Sequence, residues 1–71
     1  MNELQQKIMG IVEANGNSTD YQTVVDGLDY PGKQRAFENL RAMQTDGLIE
    51  RSVAIDPVTK RGVVTISKVG A

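Results

Sequence analysis

The chain has 71 residues, contains neither cysteine nor histidine, and carries a formal net charge of −1. That length predicts one domain over residues 1–71, and the 18 Leu, Ile, Val and Phe residues suffice for one small core. The composition excludes a disulfide framework and a thiolate metal centre. The charge argues against a strongly basic protein that coats DNA without sequence preference.

The sequence contains no segment that is typical of membrane insertion or export. No stretch approaches the ~20 apolar residues that are needed to cross a bilayer. The first residues, Met1–Leu4, lack the basic and then apolar layout of a signal peptide. We therefore expect a cytoplasmic protein with no membrane partner, which the absence of cysteine also suits.

Charge is distributed unevenly along the chain. Residues 1–30 carry one basic and five acidic side chains, a net −4, whereas residues 31–71 carry seven basic and four acidic side chains, a net +3. A chain with this asymmetry can direct one face toward phosphate groups and keep the other face away from them. The alternative is a mixed surface that only keeps the protein soluble.

The first helix is predicted over about residues 2–15. Asn2 is a candidate N-cap, and Asn15-Gly16 provides residues that tolerate a left-handed conformation at a helix end. We interpret the interior Gly10 as a point of close approach by another helix, since glycine costs roughly 1 kcal/mol there against alanine. Apolar residues at spacings of three and four form the buried stripe: Leu4, Ile8, Ile11 and Val12.

A sharp turn is predicted between a short second helix, at about residues 20–27, and a third helix at about 31–46. Thr19, followed by a glutamine three residues later, fits a capping box at the start of the second helix. Pro31 suits the first position of the third helix, and Gly47 suits the position just after its end. The buried sides are formed by Tyr21, Val24, Val25 and Leu28 in the second helix and by Ala36, Phe37, Leu40 and Met43 in the third.

Two strands rich in β-branched residues are predicted at about 48–55 and 62–69, joined as a hairpin. Asp56-Pro57 opens the turn, and Lys60-Arg61 makes the tip basic. Because an isolated hairpin is barely stable, it must pack on the helices or on a third strand, and residues 17–18 could supply one brief extra pairing. Alternation predicts shared faces for Ile49, Val53 and Ile55 in the first strand and for Val64 and Ile66 in the second.

The composition argues against catalysis. With neither histidine nor cysteine, the most common general base and the strongest nucleophile are both missing. No glycine-rich phosphate loop is present, and we expect no cofactor. Glu50 and Asp56 could contact a hard cation, but a metal site needs several converging ligands, and solvated charges are the simpler interpretation. We therefore expect neither enzymatic activity nor a metal site.

The predicted third helix carries residue types that read DNA bases. In the major groove, Arg35 suits guanine edges, and Gln34 and Asn39 suit adenine edges. Lys33 and Arg41 are better placed for phosphates, which fix orientation without reading sequence. The alternative for all of these residues is an ordinary solvated helix face.

Glu38 and the hairpin complete the candidate DNA-binding set. Glu38 either accepts a hydrogen bond from cytosine or pairs with a neighbouring arginine along the helix. Lys60 and Arg61 at the tip reach a phosphate or the minor groove, unless their charges only protect a sheet edge from aggregation. Arg51, which interrupts the inward face of its strand, either packs its stem with its head in water or contacts the DNA backbone.

Together these features resemble the winged helix-turn-helix superfamily, in the order helix, helix, turn, helix and two-stranded wing, over nearly the whole chain. The most characteristic segment is Phe37–Arg51, in which apolar residues three apart are followed by Gly-Leu-Ile. The resemblance implies an α+β fold of three helices and a C-terminal two-stranded β-hairpin wing. It also implies that four residues of the third helix face the groove: Gln34, Arg35, Glu38 and Asn39. The implied wing contacts are Lys60 and Arg61.

The function that this resemblance implies is that of a small transcriptional regulator that binds double-stranded DNA through its third helix and wing. A homodimer, through the first helix or the hairpin edge, is left open because one small module buries little surface on DNA. The alternative is a winged-helix module that binds protein, for example a phage- or plasmid-encoded modulator of a host factor. The acidic average favours that alternative, as do Asp26 and Asp29 near the expected path of the DNA.

Overall fold

The computed structural model describes residues 1–70 as a mixed α+β fold of three helices and three strands. The longest helix has 16 residues, and within the described residues no helix is both long enough and apolar enough to cross a membrane. In chain order the elements are α1 (Glu3–Ala14), β1 (Ser18–Asp20), α2 (Tyr21–Asp26), α3 (Tyr30–Thr45), β2 (Ile49–Ile55) and β3 (Gly62–Lys68).

The sheet is antiparallel with the strand order β1-β3-β2, so β3 is its central strand. The prediction of only two strands is therefore wrong, because the brief pairing expected at residues 17–18 extends into a three-residue strand. β1 pairs with residues 65–67 of β3, where it satisfies backbone groups that would otherwise lack partners. The Ser18 and Ser67 hydroxyls add a hydrogen bond of 3.0 Å across this pair.

The core consists of ten buried apolar side chains at the place where α3 crosses α1, α2 and the sheet. Phe37 was predicted to lie among them, but 53% of it is exposed. The buried stripe of α3 is narrow, and Phe37 follows the fully buried Ala36 by one residue, which turns it about 100° away from the core. The core residues are Ile8, Met9, Val12, Val24, Leu28, Ala36, Leu40, Met43, Ile49 and Ile66.

Side-chain caps fix the start of each helix. The Asn2 cap is confirmed, and the Gln5 side chain returns a hydrogen bond to the Asn2 backbone. Asp20, rather than the predicted Thr19, caps α2, since the helix begins at Tyr21 and the Asp20 carboxylate accepts a hydrogen bond from the Thr23 amide. The Thr23 hydroxyl donates to the Asp20 carboxylate and lowers the pKa of that carboxyl below its usual value.

α3 begins one residue earlier than predicted, at Tyr30, so Pro31 occupies its second position. Asp29 is the N-cap, and its carboxylate accepts a 2.9 Å hydrogen bond from the Gly32 amide. A Cβ atom at Gly32 would lie 3.0 Å from the Asp29 Oδ1 atom and 3.2 Å from the Leu4 Cδ1 atom. A side chain at this position would therefore crowd the Asp29 cap and Leu4 of α1.

Gly10 does not provide the close helix approach that was predicted for it, because a Cβ atom there would meet nothing within 4 Å. Gly47, by contrast, has a φ angle of +76°, as expected for a residue just after a helix end. The backbone therefore favours glycine at position 47 but does not require it at position 10.

We predict opposite effects on stability for alanine at these two glycines. Gly47→Ala forces a Cβ atom into the left-handed region and should lower the free energy of unfolding by about 1–2 kcal/mol. Gly10→Ala removes a flexible residue from a helix interior without a clash and should raise the free energy of unfolding by about 0.5–1 kcal/mol. Urea denaturation of both variants measures the difference, and a change of the same sign in both would contradict the backbone geometry.

Candidate nucleic-acid interface

The candidate side chains of α3 lie on its solvent-facing side. Five of the six are exposed, and Asn39 is half-buried. Helical spacing places residues four apart on the same line along a helix surface. The six residues therefore fall into three parallel stripes: Lys33 with Arg41, Gln34 with Glu38, and Arg35 with Asn39.

The first stripe connects α3 to the hairpin. Phe37 lies between Lys33 and Arg41 on this stripe, and the Arg51 guanidinium carbon stands 5.2 Å from the centroid of its ring. That distance is within the range of a cation–π interaction. Arg51 is half-buried, as expected for a stem that packs on an apolar surface. The contact joins the exposed side of α3 to β2.

The second stripe points most directly into solvent. The Gln34 side-chain amide donates a 3.1 Å hydrogen bond to the Tyr30 hydroxyl at the start of the helix. Glu38 forms no ion pair with an arginine of α3 within residues 1–70. The Glu38 carboxylate is thus open to solvent rather than neutralised along the helix.

The third stripe faces the beginning of α1. The Asn39 amide donates to the Arg35 carbonyl oxygen at 2.9 Å, and its side-chain oxygen accepts a 3.1 Å hydrogen bond from Asn2. Asn39 therefore tethers α3 to α1, and its amide is already engaged within the protein. Arg35 borders a shallow depression of ≈ 440 Å³ that also includes Glu3 and Asp29.

The hairpin tip presents Lys60 and Arg61 from an ordered turn. The Asp56 carboxylate accepts hydrogen bonds from the Val58 and Thr59 amides at 2.8 and 3.3 Å. The Lys60 amide donates to the Asp56 carbonyl oxygen, and Lys60 itself adopts a φ angle of +62°. The turn therefore holds both basic side chains on an ordered backbone at one end of the molecule.

The basic residues of α3 and of the hairpin tip have no acidic partner among residues 1–70. The single ion pair of this part of the chain joins Lys68 to Glu13 at 3.1 Å, away from the eight candidates. Asp29 is already committed to the N-terminus of α3, where the helix dipole favours its negative charge. Unpaired cations that a nearby carboxylate does not neutralise are free to contact an external anion.

An apolar cleft bordered by Arg51 was not predicted. It has a volume of ≈ 360 Å³ and lies between α3 and the hairpin. Val53 and Ile55 were expected to share the inward face of Ile49, yet 67% and 70% of these two residues are exposed. The hairpin runs past the end of the core, so only Ile49 of that face is buried. The cleft is lined by Tyr21, Phe37, Arg51, Val53 and Val64.

One sequence feature could have revealed this surface. Apolar residues continue through Val53, Ile55 and Val58, beyond what one small core can cover.

Within residues 1–70, no three acidic, histidine or cysteine side chains come together in a way that could hold a metal ion. No protein-family model, no curated protein and no solved structure matches the chain.

We predict an energetic coupling between Phe37 and Arg51. In a double-mutant cycle, Phe37→Leu and Arg51→Met remove the ring and the charge but keep apolar bulk. The cation–π contact should give a coupling energy of about 0.5–1 kcal/mol in urea denaturation. The control cycle pairs Phe37→Leu with Arg61→Met, and equal coupling in both cycles would contradict a specific contact between ring and guanidinium.

Proposed function

We propose that this chain is a winged helix-turn-helix protein that binds double-stranded DNA as a small transcriptional regulator. The observation that carries the proposal is the set of exposed basic side chains on α3 and at the hairpin tip, which have no acidic partner within residues 1–70. The amides of Gln34 and Asn39 lie beside them on α3. The order of the three helices and the hairpin fits the superfamily, and β1 adds a third strand to the sheet.

α3 enters the major groove in this proposal. The width of the major groove accommodates an α-helix, and the base edges in that groove present distinct donor and acceptor patterns. Arg35 and Gln34 contact base edges, and Asn39 joins them once its bond to Asn2 opens. Lys33 and Arg41 contact phosphates on either side of the groove.

The hairpin acts as the wing. Lys60 and Arg61 at its tip contact the sugar–phosphate backbone next to the site that α3 reads. The stacking of Arg51 on Phe37 supports a fixed angle between wing and helix, since it joins β2 to α3 beside the proposed interface. A fixed angle lowers the cost of ordering the two contact regions on binding.

The acidic first half of the chain is compatible with this proposal. The Asp20 and Asp29 carboxylates are N-caps that accept backbone hydrogen bonds, so their charges are partly offset by the helix dipoles. Residues 31–71, which supply α3 and the hairpin, carry the positive net charge. The low total charge should limit binding to unrelated DNA.

We predict different effects for Arg35→Ala and Lys60→Ala on DNA binding. Fluorescence anisotropy would compare a duplex selected from a random pool with a scrambled duplex, at several salt concentrations. Arg35→Ala should cost about 1–3 kcal/mol on the selected duplex and much less on the scrambled one. Lys60→Ala should weaken both similarly and reduce the salt slope by about one.

Lys68→Ala is the matched control, because it removes the same charge from the ion pair with Glu13 rather than from the proposed interface. It should leave both affinities within about twofold at moderate salt, because salt screens an exposed charge that lies away from the contact. Equal effects of the Arg35 and Lys60 variants on both duplexes would contradict the assigned roles. Absence of salt-dependent binding by the unaltered protein would contradict the function itself.

The second candidate function is a winged-helix module that binds another protein. The apolar cleft lined by Phe37, Val53 and Val64 favours it, because apolar patches rimmed by polar groups often mark protein contacts. This candidate predicts no salt-dependent affinity for DNA and no effect of Arg35→Ala on partner binding. Phe37→Ser would instead abolish that binding.

A further inference from the structure

The outer edge of β2 carries backbone groups with no partner in the sheet. At the two ends of the hairpin, the Asp56 amide donates to the Arg61 carbonyl oxygen and the Val69 amide donates to the Leu48 carbonyl oxygen. Antiparallel pairing alternates along a strand, so the even-numbered residues of β2 bond to β3. The odd-numbered residues direct their N–H and C=O groups outward: Ile49, Arg51, Val53 and Ile55.

The outer half of this edge lacks the usual protection against pairing. Charged residues and prolines normally block an exposed edge strand, and Glu50 and Arg51 provide charge in the first half of β2. The sequence from Val53 to Ile55 has neither. Both faces of the hairpin are also apolar there, since Val53 and Ile55 are exposed on one face and Val63 on the other.

We propose that two copies of this chain associate by antiparallel pairing of their β2 edges around a two-fold axis at Ser52. The result is a continuous six-stranded sheet. The proposal rests on the backbone geometry of β2 and does not depend on the proposed DNA binding.

The register follows from the side chains of β2. An axis at Arg51 would place two guanidinium groups directly opposite each other, and an axis at Val53 would oppose Glu50 to Asp56 of the second copy. Like charges in opposite positions destabilise a sheet. An axis at Ser52 avoids both, because it pairs Arg51 with Val53, Ile49 with Ile55, and Glu50 with Ala54.

The same register also satisfies the free backbone groups. All four outward-facing residues of β2 then pair with outward-facing residues of the second copy. No other symmetric register pairs all four, because the strand ends at Ile49 and Ile55. The side chains of Val53 and Ile55 gain cross-strand neighbours, Arg51 and Ile49 of the second copy, in the same step.

The chain exposes slightly more surface than is expected for a monomer of its mass. A globular monomer of 7.7 kDa should expose roughly 4,300 Å². The chain exposes 4779 Å², which is more than that expectation. Seven residues of β2 span about 23 Å, so the contact is at the small end of specific interfaces, and we expect dissociation in the micromolar range.

Disulfide trapping tests the proposed register. The chain has no cysteine, so one substitution gives one thiol. In the proposed register, Ser52 of one copy lies opposite Ser52 of the second copy as a non-hydrogen-bonded pair. The two Cα atoms are then about 4.5 Å apart, which is within the range of a disulfide. Ser52→Cys should form a covalent dimer at least tenfold faster under mild oxidation than Ala54→Cys, which lies on the same face but opposite Glu50. Equal rates, or no covalent dimer from Ser52→Cys, would overturn the proposal.

Sedimentation equilibrium tests the association without a crosslink. The unaltered chain should increase in mass toward a dimer between about 1 and 500 μM, and Val53→Pro should remain a monomer. The Val53 amide faces outward, so proline removes no bond to β3. Val53→Lys keeps the amide and should weaken association at least tenfold, with folding of both variants checked by circular dichroism. An unaltered chain that is monomeric throughout would overturn the proposal and leave the edge to a different partner.

Discussion

The burial of one face of α3 is the interaction on which the rest of the structure depends. Leu40 and Met43 are fully buried where α3 meets α1 and the sheet, and Gly32 leaves room for α1 beside α3. Because the core contains only ten side chains, it covers only the half of the hairpin that contains Ile49 and Ile66. The outer half, with Val53 and Ile55, is left exposed. The same burial orients the opposite face of α3 toward solvent, where the candidate DNA-reading side chains lie.

Much of the fold could be predicted from the sequence, because its signals are local. The stripe of Ile8 and Val12 and the caps at Asn2 and Gly47 gave the extents of α1 and α3 to within one or two residues. The runs of β-branched residues gave both hairpin strands to within one residue. Each of these signals depends on residues three or four apart, or on alternation within one strand.

The features that were predicted wrongly depend on contacts between distant segments. Thr19 fits a helix cap by sequence, but the pairing of residues 18–20 with β3 delays the start of α2 to Tyr21, so the cap is Asp20. Helical spacing predicts that Phe37 lies in the core. The prediction is wrong because the width of the buried stripe is set by packing against neighbouring elements. Phe37 instead stacks under Arg51, a contact 14 residues away along the chain. The bond that engages Asn39 likewise comes from Asn2, at the other end of the sequence.

The most direct test of the proposed function is an NMR titration of the ¹⁵N-labelled protein with duplex DNA at low and at moderate salt. We expect salt-sensitive shift changes concentrated in residues 33–41 of α3 and at Lys60 and Arg61, with little change around the Glu13–Lys68 ion pair. Shift changes confined to the cleft residues outside α3, namely Tyr21, Val53 and Val64, or no shift changes at low salt, would contradict the proposed function.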